Sequence, residues 1–228
     1  RHVKRRHPRG AYHISPKIIL ALLLFFLFGA LIGHKIFAPP KAVIPEKVGA
    51  IPVYTDFLPE NYAGYSGVER RIHYIVIHET DNYSASATAR AHDSFLHSEK
   101  QKNTPLSWHY TVDENEIYHH LPDNIAGYHA SDSMTPKGGN ESGVGIELCV
   151  NKGSDFSRTV DNAAQLTAYL LHSYHLNINA VKQHYDFCGK DCPDRLREND
   201  NWDNFLSLVQ KYLKKKAKKQ VENLYILC

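Results

Sequence analysis

Residues 183–196 read QHYDFCGKDCPDRL, and the fold and chemistry of the whole chain turn on them. His184 and Cys192, eight residues apart, offer an imidazole nitrogen and a thiolate, the donor types that a borderline-soft divalent ion such as zinc prefers. Pro193 after the cysteine favours a fixed turn. Working outward, the third donor is His78, at the end of the apolar run HYIVIH over residues 73–78, because a strand end holds a ligand rigidly and faces a cleft. Three protein ligands with one open position is the pattern of catalytic zinc, whereas structural zinc is closed by four. Taken singly, each residue has a plainer reading. The chain holds fifteen histidines, and a lone one at a strand end is more often a hydrogen-bonded structural residue. Cys192 alone reads as a small buried residue or half of a disulfide. The combination is what points to a metal.

The stretch resembles the C-terminal signature of the type 2 N-acetylmuramoyl-L-alanine amidases, the zinc fold shared with peptidoglycan recognition proteins and many phage endolysins. In that family the histidine and cysteine lie eight residues apart, as His184 and Cys192 do. The first histidine closes an early strand, as His78 does in IVIHETDN (residues 75–82). The resemblance covers roughly residues 70–213, with several spaced motifs in the same order. It implies a Zn2+ ion held by His78, His184 and Cys192, and hydrolysis of the amide bond between N-acetylmuramic acid and L-alanine in peptidoglycan.

Metal is not enough, since a carboxylate or phenol must also take and return a proton. Glu147, in VGIELCVN (residues 144–151), sits mid-strand among apolar neighbours, where a carboxylate is costly to bury unless it faces a polar cleft. The plainer reading is an ion-paired or surface Glu. The resemblance favours the catalytic one, because similar zinc amidases place a glutamate in the same strand motif. Another branch of the family carries an active-site tyrosine before a histidine; the matching position here is Trp108 in SWHY. An indole cannot shuttle that proton, so the base role moves to Glu147, and Trp108 reads as a sugar or peptide platform or as core. Lys190 matches a family lysine that faces the site, where a cation stabilises an oxyanion; a solvated loop lysine is the alternative. His109 and His129 (in GYHA) match cleft-lining positions and are expected to contact substrate, and Asn82 and Thr80 to orient a ligand or bond the substrate.

Length and charge bound the rest. A chain of 228 residues, 43% apolar, holds one domain of about 150 residues plus appendages. Residues 1–45 carry eight Lys/Arg and no acid, while residues 46–210 carry 13 Lys/Arg against 23 Asp/Glu, a net charge of −10. An acidic domain between two basic ends argues against a nucleic-acid partner. A monomer is expected.

Residues 18–33 (IILALLLFFLFGALIG) are sixteen residues without a charge, about 24 Å of helix. Lys17 and Lys35 can snorkel to two interfaces, and the positive residues before the run predict an inside N-terminus. The expected organisation is a basic stub (1–17), a transmembrane anchor (18–37), a proline-rich linker (38–65), a zinc amidase domain (66–213) and a basic tail (214–228). A cleaved signal sequence is the competing reading; either way the domain is exported and faces the cell wall.

Within the domain the apolar run 73–78 predicts a short central strand, and residues 86–100 a helix with Ser86 as N-cap. Residues 107–112 and 116–121 predict a hairpin, 143–150 a further strand and 159–176 the clearest helix. A last amphipathic helix, carrying Trp202, Phe205, Leu206, Val209, Tyr212 and Leu213, is expected to dissolve into the lysines of 211–219. Strands interleaved with helices predict an α/β domain with a mixed central sheet and helices on both faces.

Cys149, Cys188 and Cys228 form no convincing framework, so at least one free thiol is expected. Cys188 with Cys192 would complete a closed four-ligand site. That would make the protein a non-catalytic peptidoglycan binder. A Cys–His nucleophilic hydrolase is a third reading, and a chelator separates it from a metalloenzyme.

Overall fold

Alternation along single strands decides which side of the sheet is core and which is available for chemistry. In the computed structural model, which describes residues 15–37 and 40–226, strand β6 (Gly143–Leu148) sends Val144, Ile146 and Leu148 into the main core, where all three are fully buried. Gly145 and Glu147 therefore lie on its opposite face. Strand β3 (Tyr74–Glu79) does the same with Ile75 and Ile77 against Val76 and His78. These strands pair in parallel with His78 opposite Glu147. Two polar side chains are thus brought side by side on one face by register alone.

The seven-stranded sheet runs β1-β2-β5-β4-β6-β3-β7. Its members are β1 (Lys47–Val48), β2 (Ile51–Thr55), β3, β4 (Tyr110–Val112), β5 (Ile117–His119), β6 and β7 (Val181–Gln183). The β4–β5 and β1–β2 pairs are antiparallel and the others parallel, so the sheet is mixed. Under the core face lie α4 (Phe156–Ser173) and α7 (Asn201–Ile226), contributing Ala163, Leu166, Leu170, Leu171, Phe205 and Val209. On the other face lies α2 (Ala89–Leu96), whose Ala89 packs on Tyr118 and Cys149 and whose Leu96 packs on Leu58, Trp108 and Leu121. The expected mixed sheet flanked by helices is what the chain forms. Short helices α3 (Gly139–Ser142), α5 (Tyr185–Cys188) and α6 (Asp194–Arg197) and a 3-10 turn at Ile178–Ala180 complete it.

Several expectations are corrected. The α2 helix begins at Ala89 with Thr88 as its cap, accepting from the Ala91 N–H, and not at Ser86. It ends at Leu96, well short of 100. The hairpin strands are shorter than expected, three residues each. Helix α4 starts at Phe156 because the Asp155 carboxylate accepts from the Arg158 N–H. The final helix does not dissolve at Lys211 but continues to Ile226, since lysine and alanine are good helix formers. Residues 38–65 are more than a spacer. They supply β1 and β2, and β2 pairs in parallel with β5.

The chain divides into two compact units, Arg1–Ala38 and Pro39–Cys228. In the first, α1 (Pro16–Phe37) spans 22 residues, and its large apolar side chains from Ile18 to Phe28 are exposed. Among the described residues no helix is long and apolar enough to cross a membrane. The basic stub falls mainly on residues 1–14, and Cys228 on the last two; both lie outside the described residues.

Candidate active site

Metal-type donors converge where two parallel strands end. His78 is the penultimate residue of β3, and His184 follows β7 directly, its N–H donating to the Ile77 carbonyl at 3.2 Å. Cys192 returns from the loop after α5, with its carbonyl accepting from the Tyr185 N–H. One ligand atom from each of His78, His184 and Cys192 lies within 4.8 Å of the others, and all three residues are buried. Crevices at the carboxyl ends of strands are the usual ligand sites of open α/β sheets. Two nitrogens and a sulfur within that span fit a tetrahedral zinc ion with one position left open. His184 Nε2 supports the fit, being buried without a hydrogen-bond partner.

Hydrogen bonding fixes which nitrogen of His78 is free. The Gly143 carbonyl, 3.1 Å from His129 Nε2, can only accept, so that nitrogen carries the proton. Burial holds His129 neutral, its pKa lowered to about 3. Its Nδ1 is therefore an acceptor, and the partner at 3.0 Å is His78 Nε2, which must be the N–H. Burial, reinforced by His129, His184 and Lys190, also keeps His78 neutral. The lone pair left to it is on Nδ1, which lies 3.9 Å from Glu147 Oε1. Outer hydrogen bonds of this kind commonly orient a metal-binding imidazole. Gly145 makes room for the arrangement, since a Cβ there would fall 2.8 Å from His129 Cγ.

Cys192 Sγ accepts from the Glu79 N–H at 3.5 Å. Burial raises its thiol to about 12, with Glu147 adding to the effect. A divalent cation among these donors would invert that preference, because ligation requires the thiolate. Glu79 is a residue of the cleft that the sequence did not single out. It is buried, and its carboxylate accepts from the Arg195 and Leu196 N–H groups at 3.2 and 3.0 Å, pinning the chain just past Cys192. Burial and the side chain of Asp194 push Glu79 up to about 8. The available signal was an acid directly after a ligand, at a buried strand end.

A cleft of about 470 Å³ is lined by His78, His129, Glu147, His184, Lys190 and Cys192, with Trp108 and Tyr128 on its wall. Glu147 thus reaches the cleft, as its place in an apolar strand required. Burial raises its pKa to about 8 against the pull of Lys190, and Oε2 has no hydrogen-bond partner. Lys190 is exposed at the rim. Trp108 is buried, its Nε1 donating to Thr111 Oγ1 at 2.7 Å, so it offers an apolar face and no donor. It also borders a second hollow of about 290 Å³ that contains Thr80 and Asn82 and shares Leu106 and Glu147 with the first.

Two of the expected substrate contacts have their ring nitrogens engaged by protein partners. His109 is fully buried, its Nδ1 accepting from the Gly145 N–H at 3.0 Å and its Nε2 donating to the Ile125 carbonyl at 2.9 Å. It has no free nitrogen for a substrate. His129 borders the cleft, but both its nitrogens are committed. Cys188 is exposed and is not a member of the ligand group. Among the described residues Cys149, Cys188 and Cys192 are all unpaired, in line with the expected free thiol.

Comparison with known proteins agrees with this geometry. Residues 68–195 match the family model described as N-acetylmuramoyl-L-alanine amidase. The N-acetylmuramoyl-L-alanine amidase CwlH of Bacillus subtilis (strain 168) is 36% identical over 157 residues, covering 69% of this chain and 60% of that protein. For XlyA, an N-acetylmuramoyl-L-alanine amidase of the same organism, the figures are 37% over 153 residues, 67% and 49%. The chain therefore spans about half the length of these relatives. The solved catalytic domain of XlyA has a TM-score of 0.65 at 35% identity, and the match covers 70% of this chain and 99% of that one. On a model match over more than half its length and a parallel to nearly all of a solved catalytic domain, the chain belongs to the N-acetylmuramoyl-L-alanine amidase family.

Proposed function

We propose that this protein is a zinc-dependent hydrolase that cleaves the amide between N-acetylmuramic acid and L-alanine in peptidoglycan. The observation that carries it is the donor trio His78, His184 and Cys192 in one cleft with Glu147. When bound, zinc supplies the Lewis acidity that amide hydrolysis at neutral pH needs. Glu147, in its carboxylate form, takes the proton of the attacking water and returns it to the leaving L-alanine nitrogen; burial raises its pKa to about 8 and Lys190 opposes that rise. Lys190 places an ammonium at the rim to stabilise the oxyanion. His129 orients His78 through the hydrogen bond to its Nε2 and does not touch substrate. Trp108 presents an apolar wall, with Asn82 and Thr80 offering polar contacts in the adjoining hollow. His109 is structural.

The anchor belongs to the same proposal. No described helix meets the length and apolarity of a span; what supports an anchor is the uncharged sequence run 18–33 with basic residues before it, which places the domain outside, facing the wall as a monomer.

Digestion of purified cell wall by the full chain tests the activity. Free stem peptides with an L-alanine amino terminus are the expected product, and their loss in chelator is expected too. Wall binding with no released peptide would make the protein a recognition module instead.

A further inference from the structure

The lysine-rich part of α7 is not explained by the hydrolytic site, which lies across the sheet from it. Residues 211–219 hold six lysines and no acid, in a domain whose residues 46–210 carry a net charge of −10. Lys211, Lys214, Lys215 and Lys218 are exposed. The Lys216 ammonium instead lies 4.0 Å over the Tyr169 ring, its stem partly buried. Lys215 and Lys216 share with Lys47 of β1 the lining of a groove of about 410 Å³, together with Val48, Ala168, Tyr169 and Tyr212. A second hollow sets Lys214 and Ala217 against His175 and Leu176 at the end of α4.

The chain that leads into the domain reaches it at this same end. The Val43 N–H donates to Tyr174 Oη at 3.0 Å, and Tyr174 caps α4. Four residues on, Lys47 begins β1 and lines the lysine groove. Residue 43 is six residues after Phe37, the last residue of α1. Six residues extend to at most about 22 Å. If α1 is the anchor, a domain fastened at Val43 is held near the bilayer, and the face beside the fastening carries the lysines. The acidic remainder of the domain is repelled by an anionic surface and this face is attracted, which orients the domain.

We infer that the Lys47/Lys211–Lys218 face of α7 and β1 docks on the anionic phospholipid headgroups of the membrane that carries the anchor, turning the catalytic face away from it toward the wall. This rests on the anchor reading. A phosphate group entering this groove meets a lining that includes Lys47, Lys215 and Lys216 beside Tyr169 and Tyr212. Chain reach favours lipid over an anionic wall polymer as its source, because the attachment at Val43 keeps the face close to the headgroups.

The test reconstitutes the full chain in vesicles of neutral phosphatidylcholine, with or without about one-third phosphatidylglycerol. Exposed lysines are labelled with a membrane-impermeant amine reagent and read by mass spectrometry. Labelling of Lys47, Lys214, Lys215 and Lys218 is expected to fall at least about threefold on the anionic vesicles, and to recover when salt is raised from about 50 to about 500 mM. Lys100, beyond α2 on the other side of the sheet, serves as the unaffected control. The combined variant Lys214→Gln, Lys215→Gln, Lys218→Gln should keep its melting midpoint yet lose the protection of Lys47. Equal labelling on both vesicle types would overturn the proposal, as would equal protection by soluble polyglycerol phosphate in the presence of neutral vesicles. Release of the chain from neutral vesicles by a carbonate wash would instead sink the anchor, while the salt-sensitive labelling on anionic vesicles would still decide the lysine face.

Discussion

His129 Nδ1 lies 3.0 Å from His78 Nε2, with the two rings edge to face at 89° and their centroids 5.0 Å apart. That contact leaves His78 Nδ1 as the free nitrogen on the cleft side. Replacing His129 with Ala removes the acceptor, and metal affinity measured by competition with a chromogenic chelator should fall about 10–100-fold. Gly145→Ala should move affinity in the same direction by displacing the His129 ring. Unchanged affinity in both variants would mean that His78 is held by its strand alone.

Glu147→Gln keeps size and polarity but removes the proton acceptor. Turnover should drop about a hundredfold to ten-thousandfold with zinc content and wall binding intact, and Glu147→Asp should fall between. Near-normal turnover in Gln would transfer the base role elsewhere in the cleft, and loss of zinc would make Glu147 a structural carboxylate.

Glu79 holds the loop behind Cys192 through two backbone N–H groups. Glu79→Ala strands both donors and should cost about 1–3 kcal/mol of stability by denaturant titration, more than Glu79→Gln, which retains an acceptor. If Ala and Gln variants unfold alike, the loop is held by something else.

His109 yields a signed pH dependence away from the ligands. Burial, aided by Arg70, keeps its folded pKa well below the usual value. An unfolded histidine gains its proton near pH 6.5 and the folded one does not, so its contribution is fully present above about pH 6.5 and is lost as pH falls further. The destabilisation caused by His109→Gln, measured in chelator, should therefore shrink as pH falls below about 6.5, with a limiting slope of about 1.4 kcal/mol per pH unit. A difference that stays constant with pH would show that His109 takes up its proton in the folded state.

How much of this was legible in the sequence depended on whether the signal was local. The convergence of His78, His184 and Cys192 could be read because His184 and Cys192 sit in one short segment and His78 ends an apolar strand; parallel pairing then does the rest. Glu147 was legible for a local reason too, a charge inside an otherwise apolar run. β1 and β2 were missed because proline-rich sequence masks short strands whose partner, β5, is more than sixty residues further on. The roles of His109 and His129 turn on what their nitrogens meet across the sheet, at Ile125, Gly145, His78 and Gly143. Motif position does not record those partners. Glu79 was missed for the same reason, since its bonds reach residues 116 and 117 positions away.

Zinc dependence is the most direct consequence of the His78, His184 and Cys192 cluster. Purified full chain is stripped with chelator and titrated with zinc while bound metal and release of stem peptides from purified wall are followed together. Activity should return in proportion to zinc, saturating at about one ion per chain, and Cys192→Ser, which weakens the softest ligand, should bind far less and stay inactive at that ratio. Full activity in the stripped protein, or stoichiometric zinc retained by Cys192→Ser, would contradict it.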